Sequence, residues 1–258
     1  MNVALRDILE KLVRNEISIE EAELVLRSSA VDEIADLAKI DVNRDIRKGF
    51  PEVVLAEGKN PSDVSQIALN LVHKNGRAII SRMNPEHFTE IEKINEQGIS
   101  VEQYTRARIA ILRKSDFKVI PNVGKVGVLT AGTSDIPVAE EAKIMAEEMG
   151  CSVYTSYDAG VAGIHRLFPV LKEILLQNLD VLVVIAGREG ALPTVVSGLV
   201  DIPIIAVPTS IGYGYGGGGT SALMSMLQAC SMGIAVVNID AGIAAGSIAA
   251  LIAKRVHK

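Results

Sequence analysis

The 258-residue chain has no tryptophan, and only 3% of its residues are aromatic. That poverty argues against a stacking platform for single-stranded nucleic acid. A basic excess is missing too. The net charge is -5 and the isoelectric point about 5.5, which argues against a phosphate-backbone binder and against nucleic acid as a partner. Cysteine is scarce. Cys151 and Cys230 are too few for a disulfide framework, and they read as free thiols in a reducing, cytoplasmic setting. Charge is absent from one long stretch, since no Asp, Glu, Lys or Arg lies between Ile202 and Ile239. Pro203, Pro208, the glycines and Asn238 interrupt that stretch. No 18-residue helix survives there, and no membrane span is expected. The opening residues start an amphipathic helix with acids in it, not a signal peptide. No second His or Cys stands at ligand spacing from His165, so no sequence motif fixes a metal site.

What is present is a globular composition, 48% hydrophobic and 22% charged. The length allows a proper core and two domains. Val3, Ala4, Ile8, Leu9, Leu12 and Val13 recur at helical spacing. Ser18-Ile-Glu-Glu21 is a capping box that opens a second helix through Leu26. Next comes a charged loop, Asp41 to Lys59, around a Gly-Phe-Pro turn. It reads as a solvated approach to a strand, or as cations (Arg44, Arg47, Lys48) aimed at a phosphate or carboxylate. A helix is predicted from Pro61 to His73, a strand over 77–80, a helix over 85–95, and a strand near 104–111. The polar segment 115–124, with Pro121 and Gly124, is the best boundary. It divides a small N-terminal α/β domain, residues 1–118, from a second domain, residues 119–258.

The second domain alternates strand and helix with regularity. Strands are expected over 126–129, 151–156, 181–185, 204–207 and 234–237, each followed by a polar or glycine-rich cluster and then a helix. This is the signature of a doubly wound parallel sheet. Ligands bind outside the carboxyl ends of such strands, so the five clusters should converge on one rim. The first is Thr130-Ala-Gly-Thr-Ser-Asp135, an N-cap or an anion- or ribose-binding turn. The second places Asp158, His165 and Arg166 around two glycines. The third, Gly187-Arg-Glu-Gly190, sets Glu189 between glycines, where packing does not explain a carboxylate; Arg188 is its candidate ion-pair partner. The fourth runs from Pro208-Thr209-Ser210 into a glycine loop that ends at Gly219, with Thr220 or Ser221 as a helix cap. It fits Gly-x-Gly-x-x-Gly literally, but so rich a run fits almost any glycine pattern, and four residues separate strand from first glycine. Cys230 sits near the end of the following apolar helix. A buried small hydrophobe is the default reading there, and for Cys151 as well. The fifth cluster is Asn238-Ile-Asp-Ala-Gly242.

Together these pieces carry a resemblance. The C-terminal half resembles the aminoimidazole ribonucleotide carboxylase family. The chain from about residue 44 onward resembles the LarB family, pyridinium-3,5-bisdicarboxylate mononucleotide synthases of nickel-pincer cofactor biosynthesis. The matching segments are Arg47-Lys-Gly-Phe-Pro-Glu52, 131–142, Gly160-Val-Ala-Gly-Ile-His-Arg-Leu167, Glu189-Gly-Ala-Leu-Pro193, 206–214 and Val237-Asn-Ile-Asp240. The resemblance implies a flavodoxin-like catalytic domain and an octamer. The implied reaction is carboxylation of nicotinic acid adenine dinucleotide by carbon dioxide at pyridinium C5, with hydrolysis of the phosphoanhydride to release AMP. Cys230 maps to the covalent nucleophile and Glu189 to the essential carboxylate. Thr133, Ser134, Asp135, Thr209 and Ser210 would hold ribose and phosphates. The same resemblance lends contacts to Gly163, Arg166, Gly187, Gly212, Gly214 and Asp240. Arg47 or Lys48 would reach the substrate carboxylate, and Asp158 and His165 are candidates for the hydrolysis. No tightly bound organic cofactor is expected; Mg2+ could screen the diphosphate. The sequence departs from the family pattern at Arg188, where Met is common, and at Asp240-Ala-Gly-Ile243, where Asp-Asn-Gly-Phe is usual.

Overall fold

The computed structural model describes residues 3–28, 32–34, 38–40, 44 and 48–257. The chain forms two compact units, residues 1–103 with 110–117 and residues 104–109 with 118–258.

The first unit opens with helices α1 (Val3–Val13) and α2 (Ile19–Ser28). The capping box expected at Ser18 is present: Glu21 N–H donates to Ser18 Oγ at 3.1 Å, and Ser18 N–H to Glu21 Oε2 at 2.9 Å. A short antiparallel pair follows, β1 (Asp32–Ile34) and β2 (Ala38–Ile40). Then come β3 (Val53–Leu55), α3 (Pro61–Asn75), β4 (Arg77–Ser81), α4 (Pro85–Glu92), β5 (Ile99–Tyr104) and β6 (Ile109–Lys114). The single strand expected near 104–111 is two strands. A one-turn helix, Thr105–Ala107, and Arg108 at φ 55° separate them, because a strand cannot continue through a left-handed residue. The sheet order is β3-β4-β6-β5, with β3 and β4 parallel and β6 antiparallel to β4. Ile67 and Leu71 from α3 meet Val54, Ile80 and Leu112 in its core.

The second unit is the expected parallel sheet. In chain order it holds β7 (Lys125–Thr130), α5 (Ile136–Glu148), β8 (Ser152–Ser156), α6 (Leu167–Gln177), β9 (Val181–Ala186), α7 (Leu192–Ser197), β10 (Ile204–Pro208), α8 (Thr220–Leu227), β11 (Ile234–Val236) and α9 (Gly242–Val256). The sheet order is β11-β10-β9-β7-β8 and every pair is parallel. The unbroken apolar runs of β9 and β10 are explained by their place: both are buried along their whole length. On one face Leu182, Val184, Ile204 and Ala206 join Leu171, Leu192, Val196 and Met226 in a common core. On α9 small residues permit close helix packing. A Cβ at Gly246 would lie 2.3 Å from Ala142 O of α5, so only glycine fits there. Among the described residues no helix is long and apolar enough to cross a membrane.

Candidate active site

Each strand of the second unit ends in a turn at the same edge of the sheet, and side chains staple these turns to one another. Thr130, fully buried, accepts a hydrogen bond from Asp158 N–H at 3.1 Å. That ties the turn after β7 to the turn after β8. Asp135 is 4% exposed. Its Oδ2 accepts from Gly132 N–H at 2.9 Å and its Oδ1 from Thr209 Oγ1 at 2.7 Å; Gly187 N–H donates to the same carboxylate. One side chain thus gathers the turns after β7, β9 and β10. Burial pushes Asp135 above the ordinary aspartate range, and the three donors oppose that rise without cancelling it. Asp240, at φ 54°, closes the set by accepting from Ser210 N–H at 2.8 Å. All five polar clusters therefore converge, as the strand-turn-helix pattern requires. Much of their polarity serves to hold the turns together.

A cavity of 390 Å³ opens beside this network. Its polar and charged lining comes from Ser134, Asp135, Arg166, Arg188 and Glu189, and its apolar lining includes Val161, Leu192 and Ile211. Of the expected site residues, Ser134, Asp135, Arg166, Gly187 and Glu189 face it. Glu189 and Arg188 are exposed to it on a tight turn, with Arg188 at φ 54° and Gly190 at φ 64°. Gly187 is required by packing, because a Cβ there would come within 2.4 Å of Ile211 O and 2.6 Å of Thr209 Oγ1.

Several expected contacts differ. Thr209 is fully buried and its hydroxyl donates to Asp135, so it braces the turn instead of meeting a ligand. Gly212 packs on its own chain, where a Cβ would lie 2.4 Å from Gly216 O, and neither it nor Gly214 lines the cavity. The helix cap expected from Thr220 or Ser221 is Gly219 at φ 80°, and no side chain caps α8. Arg166 donates to Asp158 at 2.8 Å, which holds Arg166 against the cavity and leaves Asp158 outside its lining. Thr133 and His165 are exposed and Gly163 is half-buried; none of the three lines the cavity. Lys48 is exposed in the first unit, and Arg47 lies outside the described residues. Among the described residues no three His, Cys, Asp or Glu side chains cluster as a metal site.

The two cysteines separate. Cys151 is buried, as expected of a core thiol. Cys230 is exposed, against the default reading, because α8 ends at Leu227 and Cys230 lies in the turn beyond it. That turn joins α8 to β11. Helix α8 starts beside Thr209, past the carboxyl end of β10, and runs back to the start of β11, where Ile234 pairs with Ile204 at the amino end of β10. Ser231, next to Cys230, donates to Thr194 O of α7 at 3.0 Å. Cys230 does not line the cavity.

Arg188 was read from sequence only as a partner for Glu189. It instead stacks on Tyr213, 4.6 Å from guanidinium carbon to ring centroid, and donates to the Tyr213 hydroxyl at 2.7 Å. Twenty-five residues separate the pair, so no local pattern could have revealed it. Ile211 and Leu192 were missed for the same reason. They read as ordinary apolar positions until the turns meet.

Comparison with known proteins accounts for both units. Residues 32–114 match the LarB/PurE-like N-terminal domain, and residues 125–258 match AIR carboxylase. The chain is similar, at 45% identity over the full length of both, to the uncharacterized protein MJ0165 of Methanocaldococcus jannaschii. It is also similar to two N5-carboxyaminoimidazole ribonucleotide mutases. For that of Thermotoga maritima the identity is 28%, over 33% of this chain and 49% of the relative. For that of Pyrococcus horikoshii it is 29%, over 45% and 64%. With an AIR carboxylase domain behind a LarB/PurE-like N-terminal domain, the chain belongs to the LarB-like family, whose members are carboxylase-type enzymes.

Proposed function

We propose that this protein carboxylates the pyridinium ring of nicotinic acid adenine dinucleotide at C5 and hydrolyses the phosphoanhydride. The products are a pyridinium-3,5-dicarboxylate mononucleotide and AMP, on the route to a nickel-pincer cofactor. The observation that carries the reading is Glu189. It is a carboxylate presented by a left-handed turn into a cavity that Val161, Leu192 and Ile211 also line, in a chain of this family.

Pyridinium C5 is electron-poor and does not attack carbon dioxide. A thiolate adding at C4 turns the ring into a dihydropyridine whose C5 is enamine-like. C5 then forms the bond to carbon dioxide, which accepts the electron pair as a new carboxylate. Backbone N–H groups of the glycine-rich turns suit that developing charge. Glu189 removes the C5 proton, the C4–S bond breaks, and the thiolate leaves as aromaticity returns. Water then cleaves the anhydride.

The thiolate in this scheme is Cys230. Cys230 does not line the cavity of its own chain, and the scheme takes it from a neighbouring subunit. The uncharged stretch supports such an assembly. It carries the exposed apolar side chains Met224, Leu227, Met232 and Tyr215 around Cys230 and α8, a surface suited to burial between copies in an octamer. Ser134 and Arg166, which line the cavity, would hold ribose and phosphates. His165 and Asp158 are assigned to the hydrolysis.

The deciding experiment supplies the dinucleotide with labelled bicarbonate and follows products by mass spectrometry. The expected result is AMP and a singly labelled dicarboxylated mononucleotide. AMP alone would make the protein a hydrolase and remove the thiolate route. The matched mutases favour a second reading, a purine-pathway enzyme acting on an imidazole ribonucleotide; carboxylation of that substrate instead would establish it.

A further inference from the structure

We infer that Arg188, held by Tyr213, is the residue that recognises the ring carboxylate of the substrate and so separates the acid from the amide form of the dinucleotide. The inference rests on the proposed function for the identity of the ring.

Four ionisable side chains line the cavity: Asp135, Arg166, Arg188 and Glu189. Asp135 accepts from three donors of its own chain. Arg166 is paired with Asp158. Arg188 has no carboxylate partner among the described residues. Its contacts are the face and the hydroxyl of Tyr213. A guanidinium carries five N–H donors in a planar fork. Stacking occupies its face, one NH2 group serves the tyrosine, and the other edge keeps its donors for a planar anion.

Position selects the kind of anion. Arg188 and Glu189 are consecutive on one left-handed turn, so a ring presented to Glu189 at C5 has its substituents within the reach of Arg188. A carboxylate accepts two parallel N–H bonds from such a fork, whereas a neutral amide offers one acceptor and an NH2 that opposes the guanidinium. The Tyr213 hydroxyl holds the fork and touches no reacting atom, which makes it a positioning residue.

The test measures equilibrium binding of nicotinic acid adenine dinucleotide and nicotinamide adenine dinucleotide by calorimetry, without turnover, to the wild type, Arg188→Met and Tyr213→Phe. Methionine is as strained at φ 54° as arginine, so the fold should survive; circular dichroism and melting check this. Loss of one charge-assisted bidentate contact should weaken the acid form about 10- to 100-fold and leave the amide form unchanged. Tyr213→Phe keeps the stack and should give a smaller loss, again confined to the acid form. Equal losses for both dinucleotides would place Arg188 on the phosphates and overturn the inference. No loss for either would overturn it too. Failure of the wild type to bind either would instead overturn the proposed function, and the recognition role with it.

Discussion

Each unit of this protein has a pair of adjacent parallel strands whose carboxyl ends run into strand-to-helix turns, yet the two sets of turns behave differently. In the first unit the turns after β3 and β4 pair their charges with each other. Arg82, at φ 54°, meets Glu57 at 3.1 Å, Lys59 Nζ donates to Leu55 O at 2.6 Å, and the buried His87 ring lies 3.0 Å from Lys59 O. In the second unit the stapling is done by buried groups, Thr130, Asp135 and Thr209. That leaves Glu189 at the cavity, with Arg188 beside it against Tyr213. The same local geometry can close a structure or open a site. What differs is whether the exposed charges of the turns pair across them, as Arg82 and Glu57 do, or stand at a cavity, as Glu189 does.

The contrast can be tested where it should be strongest. Glu189→Gln should lower carboxylation about 10²- to 10⁴-fold, the usual worth of a positioned general base, with no loss of stability because the side chain is exposed. Steady-state rates and a thermal melt read both parts. The separation of Cys230 from Glu189 can be tested by mixing. Glu189→Gln and Cys230→Ala are each inactive alone under the proposed scheme. Refolded together as random hetero-oligomers they should recover about a quarter of wild-type activity if each site draws on two subunits. No recovery would mean that one chain supplies both groups.

Smaller effects concern the staple. Gly187→Ala should destabilise the second unit by about 1–3 kcal/mol, since its Cβ would meet a backbone carbonyl that cannot move freely; denaturant unfolding measures it. Asp135→Asn should cost about 1–3 kcal/mol, because an amide cannot accept from every donor that now reaches the carboxylate. That penalty should depend on pH. The raised Asp135 pKa means that the folded chain keeps this proton to higher pH than the unfolded chain. Its contribution is complete below the ordinary aspartate value and is lost as pH rises through the raised one. The difference between wild type and Asp135→Asn should therefore shrink over that window. The smallest effect belongs to the first unit. Glu57→Gln breaks an ion pair whose side chains are 36% and 55% exposed, and it should change stability by less than about 1 kcal/mol. A large effect there would show that its turns do more than close on themselves.

The sequence by itself determined the alternation of the second unit, because buried parallel strands need continuous apolar runs and each must end in a turn that frees backbone for the next helix. It determined the five polar clusters, and the place of Glu189 between two glycines at a strand end. It also carried the family, because those segments are contiguous and can be read one at a time. The tertiary structure alone decided which polar residues work inward and which outward. Thr209 and Ser210 are neighbours in sequence, yet one is fully buried against Asp135, 74 positions away, and the other is exposed. The same holds for the Arg188–Tyr213 stack and for the exposure of Cys230 in the turn beyond α8. The physical reason is shared. A side chain's chemistry depends on its partners and on water, and in a parallel sheet those partners come from strands that the chain visits at intervals of tens of residues.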